Sequence, residues 1–268
     1  LALKNEELAQ KNREITDSIQ YAKRLQDKML LPSRLIKQEF PSSFLFYKPK
    51  DIVSGDFYFF RKFNIGNKNK MIIAAVDCTG HGVPGAFMSV VANDMLAHLL
   101  DGHAQDSPAL LLDRLKLGMQ DKMGQTIGAI TLHDGLDIAL ISIDLDAMEL
   151  EFAGAFCPMY VFRGKQFTEY KPDKISIGIF SDGEQKKYTN HKVQLLSGDT
   201  LYLFSDGYAD QFGGAQGKKF KLSQFKATLL NFQDENMHTQ YTMLEKTMDT
   251  WRGSHEQVDD MLVIGIRI

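Results

Sequence analysis

The stretch at residues 71–88 constrains the fold of this chain more than any other part of the sequence. An apolar run at residues 71–76 ends in the acid Asp77, and three glycines follow within the next eight residues. The run is typical of a buried strand, and Pro84 suits the first turn of the apolar helix that comes next. Glycines let a backbone approach a ligand closely, and a helix N-terminus favours an anion. An acid beside an anion site indicates a metal ion between the two.

The bulk composition predicts a globular protein of the cytoplasm. Its 268 residues can bury a large core, and 44% hydrophobic with 24% charged residues is ordinary for a globular domain. A net charge of -3 without a basic tract argues against nucleic acid as a partner. Two cysteines outside any Cys-x-x-Cys pair fit a reducing compartment. No apolar run reaches the length of about 18 residues that spans a membrane, so we expect no membrane insertion of this segment.

Residues 1–31 predict a helix that precedes a separate domain at residues 32–268. The segment has neither Gly nor Pro, and apolar residues recur at every seventh position. Its d positions are Leu1, Leu8, Ile15, Ala22 and Met29, and its a positions are Asn5, Asn12, Ile19 and Gln26. This pattern is typical of a parallel two-stranded coiled coil, so we expect a homodimer. The alternative is a single amphipathic helix that lies on its own domain.

The ends of this helical segment carry two further predictions. Pro32 predicts the end of the helix, because proline cannot continue one. The chain begins at Leu1, inside a helical pattern and without Met. We therefore expect a fragment of a longer protein with domains upstream.

Beyond residue 40 the pattern alternates between blocks of strands and blocks of helices. It predicts strands at residues 44–47, 57–63, 70–77, 136–144, 149–153, 160–163, 166–170, 193–196, 201–205 and 261–268, and helices at 84–100, 108–123, 222–232 and 237–252. Blocks in this order predict the α+β class, with two antiparallel sheets and helices on their outer faces.

Four acidic sites share one feature, an Asp at the edge of an apolar run beside a flexible residue. They are Asp56, Asp77, Asp206 and the pair Asp259-Asp260. Strand ends from two packed sheets can converge at one rim, where clustered carboxylates repel one another unless cations neutralise them. Oxygen ligands without Cys or convergent His favour Mg²⁺ or Mn²⁺ over zinc.

These sites lie in motifs that resemble a known family. The motifs are Val-Ser-Gly-Asp-Phe-Tyr at 53–58, Asp-Cys-Thr-Gly-His-Gly-Val-Pro-Gly-Ala-Phe-Met at 77–88, Leu-Phe-Ser-Asp-Gly-Tyr-Ala at 203–209 and Asp-Asp-Met at 259–261. In order and spacing they resemble the bacterial SpoIIE/RsbU-type protein serine/threonine phosphatases, a branch of the metal-dependent PP2C (PPM) family. The resemblance covers about residues 40–268 and implies an α-β-β-α sandwich. Residues 14–23 and 30–32 resemble the helical linker that joins such domains to upstream sensors.

The resemblance also implies a ligand set for two Mn²⁺ or Mg²⁺ ions. Asp56 and Asp77 would hold the pair, with Asp77 as the bridging ligand, and the backbone carbonyl of Cys78 would complete one coordination sphere. Asp206 would complete the other together with one acid of the Asp259-Asp260 pair, of which Asp259 is the first choice and Asp260 the reserve. A water activated by both ions would then attack the phosphorus of a phosphoserine or phosphothreonine.

Three further residues or motifs have two interpretations each. His81 either donates a proton to the leaving oxygen or shapes the glycine loop. Asp137 either approaches the metal site as an auxiliary ligand or faces water at a strand start. The second Ser-Asp-Gly, at residues 181–183, is interpreted as a solvated turn rather than a site.

The resemblance predicts a metal-dependent phosphatase with a phosphorylated bacterial signalling protein as its substrate, such as an anti-sigma-factor antagonist. It also predicts regulation by an upstream sensor through the N-terminal helix. The alternative function is a signalling module that binds a phosphoprotein without hydrolysing it. A nucleotide hydrolase is disfavoured, because no Gly-Lys-Ser/Thr follows the glycines.

Overall fold

The computed structural model describes residues 2–29, 34–65, 68–126, 135–178 and 186–268. The predicted stop at Pro32, the linker residues 30–32 and the second Ser-Asp-Gly at 181–183 lie outside these residues. The helices are α1 (Ala2–Met29), α2 (Arg34–Glu39), α3 (Gly82–His103), α4 (Pro108–Thr126), α5 (Gly207–Asp210), α6 (Leu222–Asn231) and α7 (Met237–Arg252).

Two antiparallel sheets form the centre of the domain. The strands are β1 (Ser43–Lys48), β2 (Phe57–Ile65), β3 (Lys68–Cys78), β4 (Gly135–Asp144), β5 (Glu149–Ala155), β6 (Met159–Arg163), β7 (Gln166–Tyr170), β8 (Ile177–Gly178), β9 (His191–Gln194), β10 (Thr200–Phe204), β11 (Phe212–Gly213), β12 (Lys218–Lys219) and β13 (Met261–Arg267). The five-stranded sheet has the order β1-β13-β10-β6-β7. The six-stranded sheet has the order β2-β3-β4-β5-β9, with β8 beside β4, and β11 and β12 form a small hairpin.

The five-stranded sheet is buried on both faces, which explains the continuous apolar runs of its central strands. Along β10, Leu201 and Leu203 belong to the core shared with the six-stranded sheet. The alternate residues Tyr202 and Phe204 belong to an aromatic core under α6 and α7. Because successive side chains of a strand point to opposite faces, such a strand needs apolar residues at every position.

Helices α3 and α4 cover the outer face of the six-stranded sheet. By length and composition alone α3 is also apolar enough to cross a membrane. Here Met88, Ala92, Leu96 and Leu100 are buried at spacings of four residues, so α3 packs as a core helix. The layers thus run helices, sheet, sheet, helices. This confirms the predicted α+β class with two antiparallel sheets, flanking helices and a long N-terminal helix.

The two halves of α1 have different surroundings. Residues 3–18 are exposed, whereas Ile19, Ala22 and Lys23 are half-buried and Gln26 is buried against the domain. The second half therefore lies on its own domain, as the alternative interpretation of the heptad pattern expects. Three of these residues, Ile19, Ala22 and Gln26, are predicted a or d positions of the coiled coil, and they contact the domain instead. Pairing of two copies stays a prediction, with the exposed residues 3–18 as the surface available for it.

Candidate metal centre

Strand register places three acids side by side at one end of the six-stranded sheet. Asp77 of β3 is directly opposite Asp137 of β4. On the other side of β3, Phe57 pairs with Val76, so Asp56 lies beside Asp77 at the start of β2. Paired residues on neighbouring strands project to the same face, about 5 Å apart. The structure therefore brings Asp137 to the predicted pair.

The five-stranded sheet contributes the remaining acids at the same rim. Asp206 follows β10, and Asp259 and Asp260 precede β13. The Ser205 N–H donates to the Leu262 carbonyl at 3.0 Å, which holds the two chain segments together. We call Asp56, Asp77, Asp137, Asp206 and Asp259 the acid cluster.

Burial and mutual repulsion shape the electrostatics of the acid cluster. Burial, and then the charge of Asp77, raise the pKa of Asp56 well above its usual range. Burial and three neighbouring acids do the same to the pKa of Asp77. Burial and nearby carboxylates raise the pKa of Asp137 and of Asp206 to about 6. Each acid thus makes ionisation of the others less favourable, and a cation in the cluster would reverse this effect.

The chemistry of the cluster fits a hard cation. The carboxylate of Asp56 is only 2% exposed, and its Oδ2 is a buried oxygen without a hydrogen-bond partner. A buried oxygen of this kind needs a partner, and the charged groups near Asp56 are the carboxylates of Asp77, Asp259 and Asp260. No three His, Cys, Asp or Glu side chains of the described residues converge closely enough to form a ready-made metal cage. The cluster is therefore an open set of oxygen donors, and Mg²⁺ and Mn²⁺ prefer such donors.

The adjacent acids Asp259 and Asp260 have different surroundings. Asp260 is buried, and its Oδ1 and Oδ2 accept from the backbone N–H groups of Lys50 and Gly55, each at 2.7 Å. Asp259 is half-buried, and one of its oxygens accepts from the N–H of Asp260. The Asp260 carboxylate thus fixes the loop before Asp56. Asp259 uses one oxygen for a backbone N–H, and its charge contributes to the raised pKa values of Asp77 and Asp206.

Glycines allow the two loops of the six-stranded sheet to touch. A Cβ atom on Gly55 would lie 2.5 Å from the carbonyl oxygen of Gly80, and one on Gly85 would lie closer still. Gly80 itself has a φ of 85°, in the left-handed region that favours glycine. The loop that follows Asp77 can therefore close over the segment before Asp56. This close approach joins two loops of the chain itself, and the predicted approach of the backbone to a ligand stays a prediction.

His81 lies at the edge of the cluster between two charged residues. Its Nδ1 is 2.9 Å from Asp51 Oδ2, and its Nε2 is 3.0 Å from Lys50 Nζ. Since an ammonium group can only donate, Nε2 accepts from Lys50, and the ring proton is on Nδ1, which donates to Asp51. We assign this tautomer to His81. In this arrangement Nε2 has no proton to give, and Lys50 is the donor at the rim.

Cys78 is buried directly after Asp77. Burial, and then the charge of Asp77, raise the pKa of its thiol well above its usual range. The thiol is therefore a poor nucleophile. A Cβ on Gly55 would lie 3.1 Å from the Cys78 carbonyl oxygen. This carbonyl therefore lies where the loop after Asp77 meets the segment before Asp56.

Gln26 of α1 is a residue of the site that the sequence patterns did not single out for chemistry. Its Nε2 donates to the Ser54 carbonyl at 2.6 Å and to Ser89 Oγ at 2.9 Å, and its Oε1 accepts from the Ser54 N–H at 3.2 Å. Ser54 Oγ in turn donates to the Asp56 carbonyl at 3.0 Å. One side chain thus links α1, the start of α3 and the loop that carries Asp56. The only sequence signal for this role was a polar amide at an 'a' position of the predicted heptad pattern.

Solved structures with the same fold come from bacterial phosphatases. The SiaA-PP2C domain of Pseudomonas aeruginosa is 31% identical, with a TM-score of 0.84 over 96% of this chain and 98% of that one. The PP2C domain of SpoIIE from Bacillus subtilis, with a regulatory fragment, is 21% identical (TM-score 0.64; 85% and 63% covered). RsbX in complex with magnesium is 12% identical (TM-score 0.57; 84% and 94% covered), and the last two show the fold alone. Comparison with curated proteins gives no match.

The layered fold and the acid cluster at its rim define a PP2C-type serine/threonine phosphatase domain, an enzyme of the PPM type. The profile of the family described as stage II sporulation protein E (SpoIIE) matches residues 67–268, which is most of the chain. The chain therefore belongs to the SpoIIE family.

Proposed function

We propose that this chain is a metal-dependent phosphatase that hydrolyses phosphoserine or phosphothreonine esters on a protein. The observation that carries the proposal is the buried, unpartnered Oδ2 of Asp56 amid carboxylates whose pKa values are raised. Asp56 and Asp77 would hold a pair of Mn²⁺ or Mg²⁺ ions, with the Cys78 carbonyl on one side and Asp206 and Asp259 on the other. When bound, the ions supply charge neutralisation and lower the pKa of a bound water.

The chain's own residues position these ligands and the substrate. Asp260 holds the backbone before Asp56, and Asp137 stands opposite Asp77, where its negative charge would favour a bound cation. Burial raises the pKa of Asp259, and the Lys50 ammonium group is close enough to the cluster to oppose this rise in part. We assign Lys50 the contact with the substrate's phosphoryl oxygens, which carry negative charge throughout the reaction.

Calorimetric titration with Mn²⁺, followed in parallel by hydrolysis of p-nitrophenyl phosphate, tests the proposal. We expect wild type to bind the ion and to gain activity, and Asp77→Ala to lose both. Wild type that binds a phosphoprotein but never hydrolyses phosphate esters would favour the non-catalytic binding module. If wild type bound no Mn²⁺ even at millimolar concentration, the metal-centre proposal would be wrong.

We propose a phosphorylated bacterial signalling protein as the substrate, in the class of anti-sigma-factor antagonists. Support comes from other solved structures with this fold. They include the RsbU and RsbW domains of a Mycobacterium tuberculosis protein and a protein of the bacterial stressosome. A cytoplasmic setting, free or below a membrane-anchored sensor, follows from this proposal. Turnover of a phosphorylated antagonist by the purified chain, compared with an unrelated phosphoprotein, is the direct test.

We further propose that the N-terminal helix regulates the site, with its first half pairing two copies under an upstream sensor. The exposed Leu8 and Ile15 support pairing, and the Gln26 contacts to Ser54 and Ser89 support transmission to the loop of Asp56. Loss of the Gln26 amide leaves the buried Ser54 N–H without a partner and the Ser54 carbonyl with only Ser89 Oγ, at 3.3 Å. The cost is about 1–3 kcal/mol.

Two variants of α1 separate pairing from transmission. Gln26→Ala is expected to raise the Mn²⁺ concentration needed for half-maximal activity and to leave the oligomeric state unchanged. The matched control is Gln20→Ala, an exposed glutamine on the same helix. Removal of residues 1–31 is expected to change both the oligomeric state, measured by light scattering, and the activity. If that deletion changed neither, the regulatory proposal would be abandoned.

A further inference from the structure

Phe156, in the turn after β5, combines an exposed aromatic ring with an unfavourable backbone conformation. Its side chain is 46% exposed, and its φ is 56°. For a bulky residue that is not glycine, a positive φ is an outlier that costs about 1–3 kcal/mol. Asn or Gly would adopt the same backbone at lower cost. The ring at this position therefore carries a cost in conformational free energy, and packing within the fold does not explain why a phenylalanine is there.

The turn backbone is held from both sides. The Cys157 N–H donates to the Ala155 carbonyl at 2.7 Å, which makes a tight three-residue turn with Phe156 at its centre. The Phe156 N–H donates to the Asp173 carbonyl at 3.0 Å, and the Asp173 N–H donates to the Gly154 carbonyl at 2.9 Å. The surrounding structure thus imposes the conformation of the turn and leaves the ring exposed.

The turn lies at the same end of the six-stranded sheet as the acid cluster. Ala155, directly before Phe156, pairs with Ile138, and the preceding residue on β4 is Asp137, opposite Asp77. Strands β3 and β5 are two positions apart, which puts Phe156 about 10 Å from Asp77 across the sheet. The charges of the acid cluster contribute, after burial, to the raised pKa of the neighbouring Cys157 thiol, in agreement with this distance.

Two other residues of the described chain share a positive φ without being glycine, and both have different surroundings. Met148 packs against the core, and Lys221 is an exposed charged residue before α6. Phe156 alone among these three presents a large apolar surface to solvent.

We propose that Phe156 is a substrate-docking residue, which packs against an apolar side chain of the phosphoprotein near the phosphorylated Ser or Thr. The proposal rests on the phosphatase function proposed above. An extended peptide rises about 3.3 Å per residue, so a side chain about three residues from the phosphorylated position reaches Phe156 when the phosphate is at the cluster. The site therefore selects substrates with an apolar residue at that distance.

Two short phosphothreonine peptides provide the test, identical except for Leu or Ser about three residues on either side of the phosphothreonine. We measure kcat and KM for both peptides with the full chain in Mn²⁺. Binding is measured separately by fluorescence anisotropy of the labelled peptides. We expect the kcat/KM of wild type to be about tenfold higher for the Leu peptide, because roughly 50 Å² of apolar surface leaves water when this peptide binds. This preference should appear in KM rather than in kcat.

The variants isolate the ring from the turn. Phe156→Asn removes the ring and introduces a residue that tolerates the positive φ. The variant should then use the two peptides about equally well, while its thermal midpoint is equal to or above that of wild type. Phe156→Tyr should restore the preference. Leu196→Asn is the matched control, an exposed apolar residue before β10, at the strand end opposite Asp206.

An unchanged preference in Phe156→Asn, or equal binding of both peptides by wild type, would overturn the docking proposal while leaving the phosphatase proposal intact. Absence of turnover with normal, selective binding in wild type would instead overturn the phosphatase proposal alone.

Discussion

Buried acids at the two sheet ends of this phosphatase fold differ in their hydrogen-bond partners. At the end of the six-stranded sheet, Asp56 and Asp77 lie side by side, with raised pKa values and an unpartnered oxygen. At the end of the five-stranded sheet, Asp260 is as buried as Asp56 and accepts hydrogen bonds from backbone N–H groups with both of its oxygens. The comparison teaches that hydrogen-bond partners, rather than residue type or burial, separate an acid that can bind a cation from one that fixes a loop.

Replacement of Asp77 by Asn should have the largest effect on activity. The change removes the charge of the central acid and keeps its size, so we expect a fall in kcat of about 10³-fold or more at saturating Mn²⁺. Stability without metal should stay equal or rise, because repulsion within the cluster is relieved. Activity assays and urea denaturation in a chelator check both parts. A large loss of stability would show that Asp77 is also part of the scaffold.

Replacement of Asp260 by Ala should have the opposite signature. Two backbone N–H groups lose their acceptor, so we expect a loss of about 2–4 kcal/mol in unfolding free energy, together with weaker Mn²⁺ binding. Asp259→Ala is the matched control, and it should weaken Mn²⁺ binding with little loss of stability. Equal denaturation midpoints for the two variants would remove the distinction between ligand and scaffold acid.

Replacement of Lys50 tests which residue at the rim serves the substrate. Lys50→Met should lower kcat/KM for p-nitrophenyl phosphate about tenfold, mainly through KM, because a charge-assisted contact is lost. His81→Gln keeps an acceptor for Lys50 and should stay within about threefold of wild type. A fall of about 100-fold in His81→Gln, with a change in the pH–rate profile, would instead identify His81 as the proton donor.

The smallest expected effect is on the pH dependence of stability in a chelator. The pKa of Asp137 is about 6 in the folded protein and about 3.9 in an unfolded chain, so its contribution is fully present below pH 4 and is lost as the pH rises through about 6. Asp137→Asn should remove about 1 kcal/mol of this dependence after solvent screening. Denaturation midpoints measured between pH 4 and about 7 check the slope, and parallel curves would contradict the prediction.

The sequence was informative where function depends on residues close together in the chain. An acid at the end of an apolar run singled out Asp56, Asp77, Asp206 and the Asp259-Asp260 pair, whose roles as metal ligands stay predictions. The block order of strands and helices predicted the layered fold that the structure confirms. The heptad pattern predicted the helix α1 but left two interpretations of its surface. The structure places its second half on the domain.

Other features depend on register and on distant contacts, which local patterns do not contain. Asp137 joins the cluster because β3 and β4 pair in one particular register. Gln26 reaches Ser54 and Ser89 over separations of 28 and 63 positions. Phe156 stands out through a backbone angle and an exposed ring. In each case the chemistry of the residue is ordinary, and its meaning comes from where the fold places it.

The Gln26 amide gives α1 a mechanical property. A helix that slips by one residue relative to its neighbours advances about 1.5 Å and rotates by about 100°, and either movement alone takes a side chain out of hydrogen-bond range. The contact with both backbone groups of Ser54 therefore exists in one rotational setting of the helix and in no adjacent one. A gradual torque on α1 would therefore change the loop of Asp56 in a single step. This end of the helix would switch between discrete states rather than deform continuously.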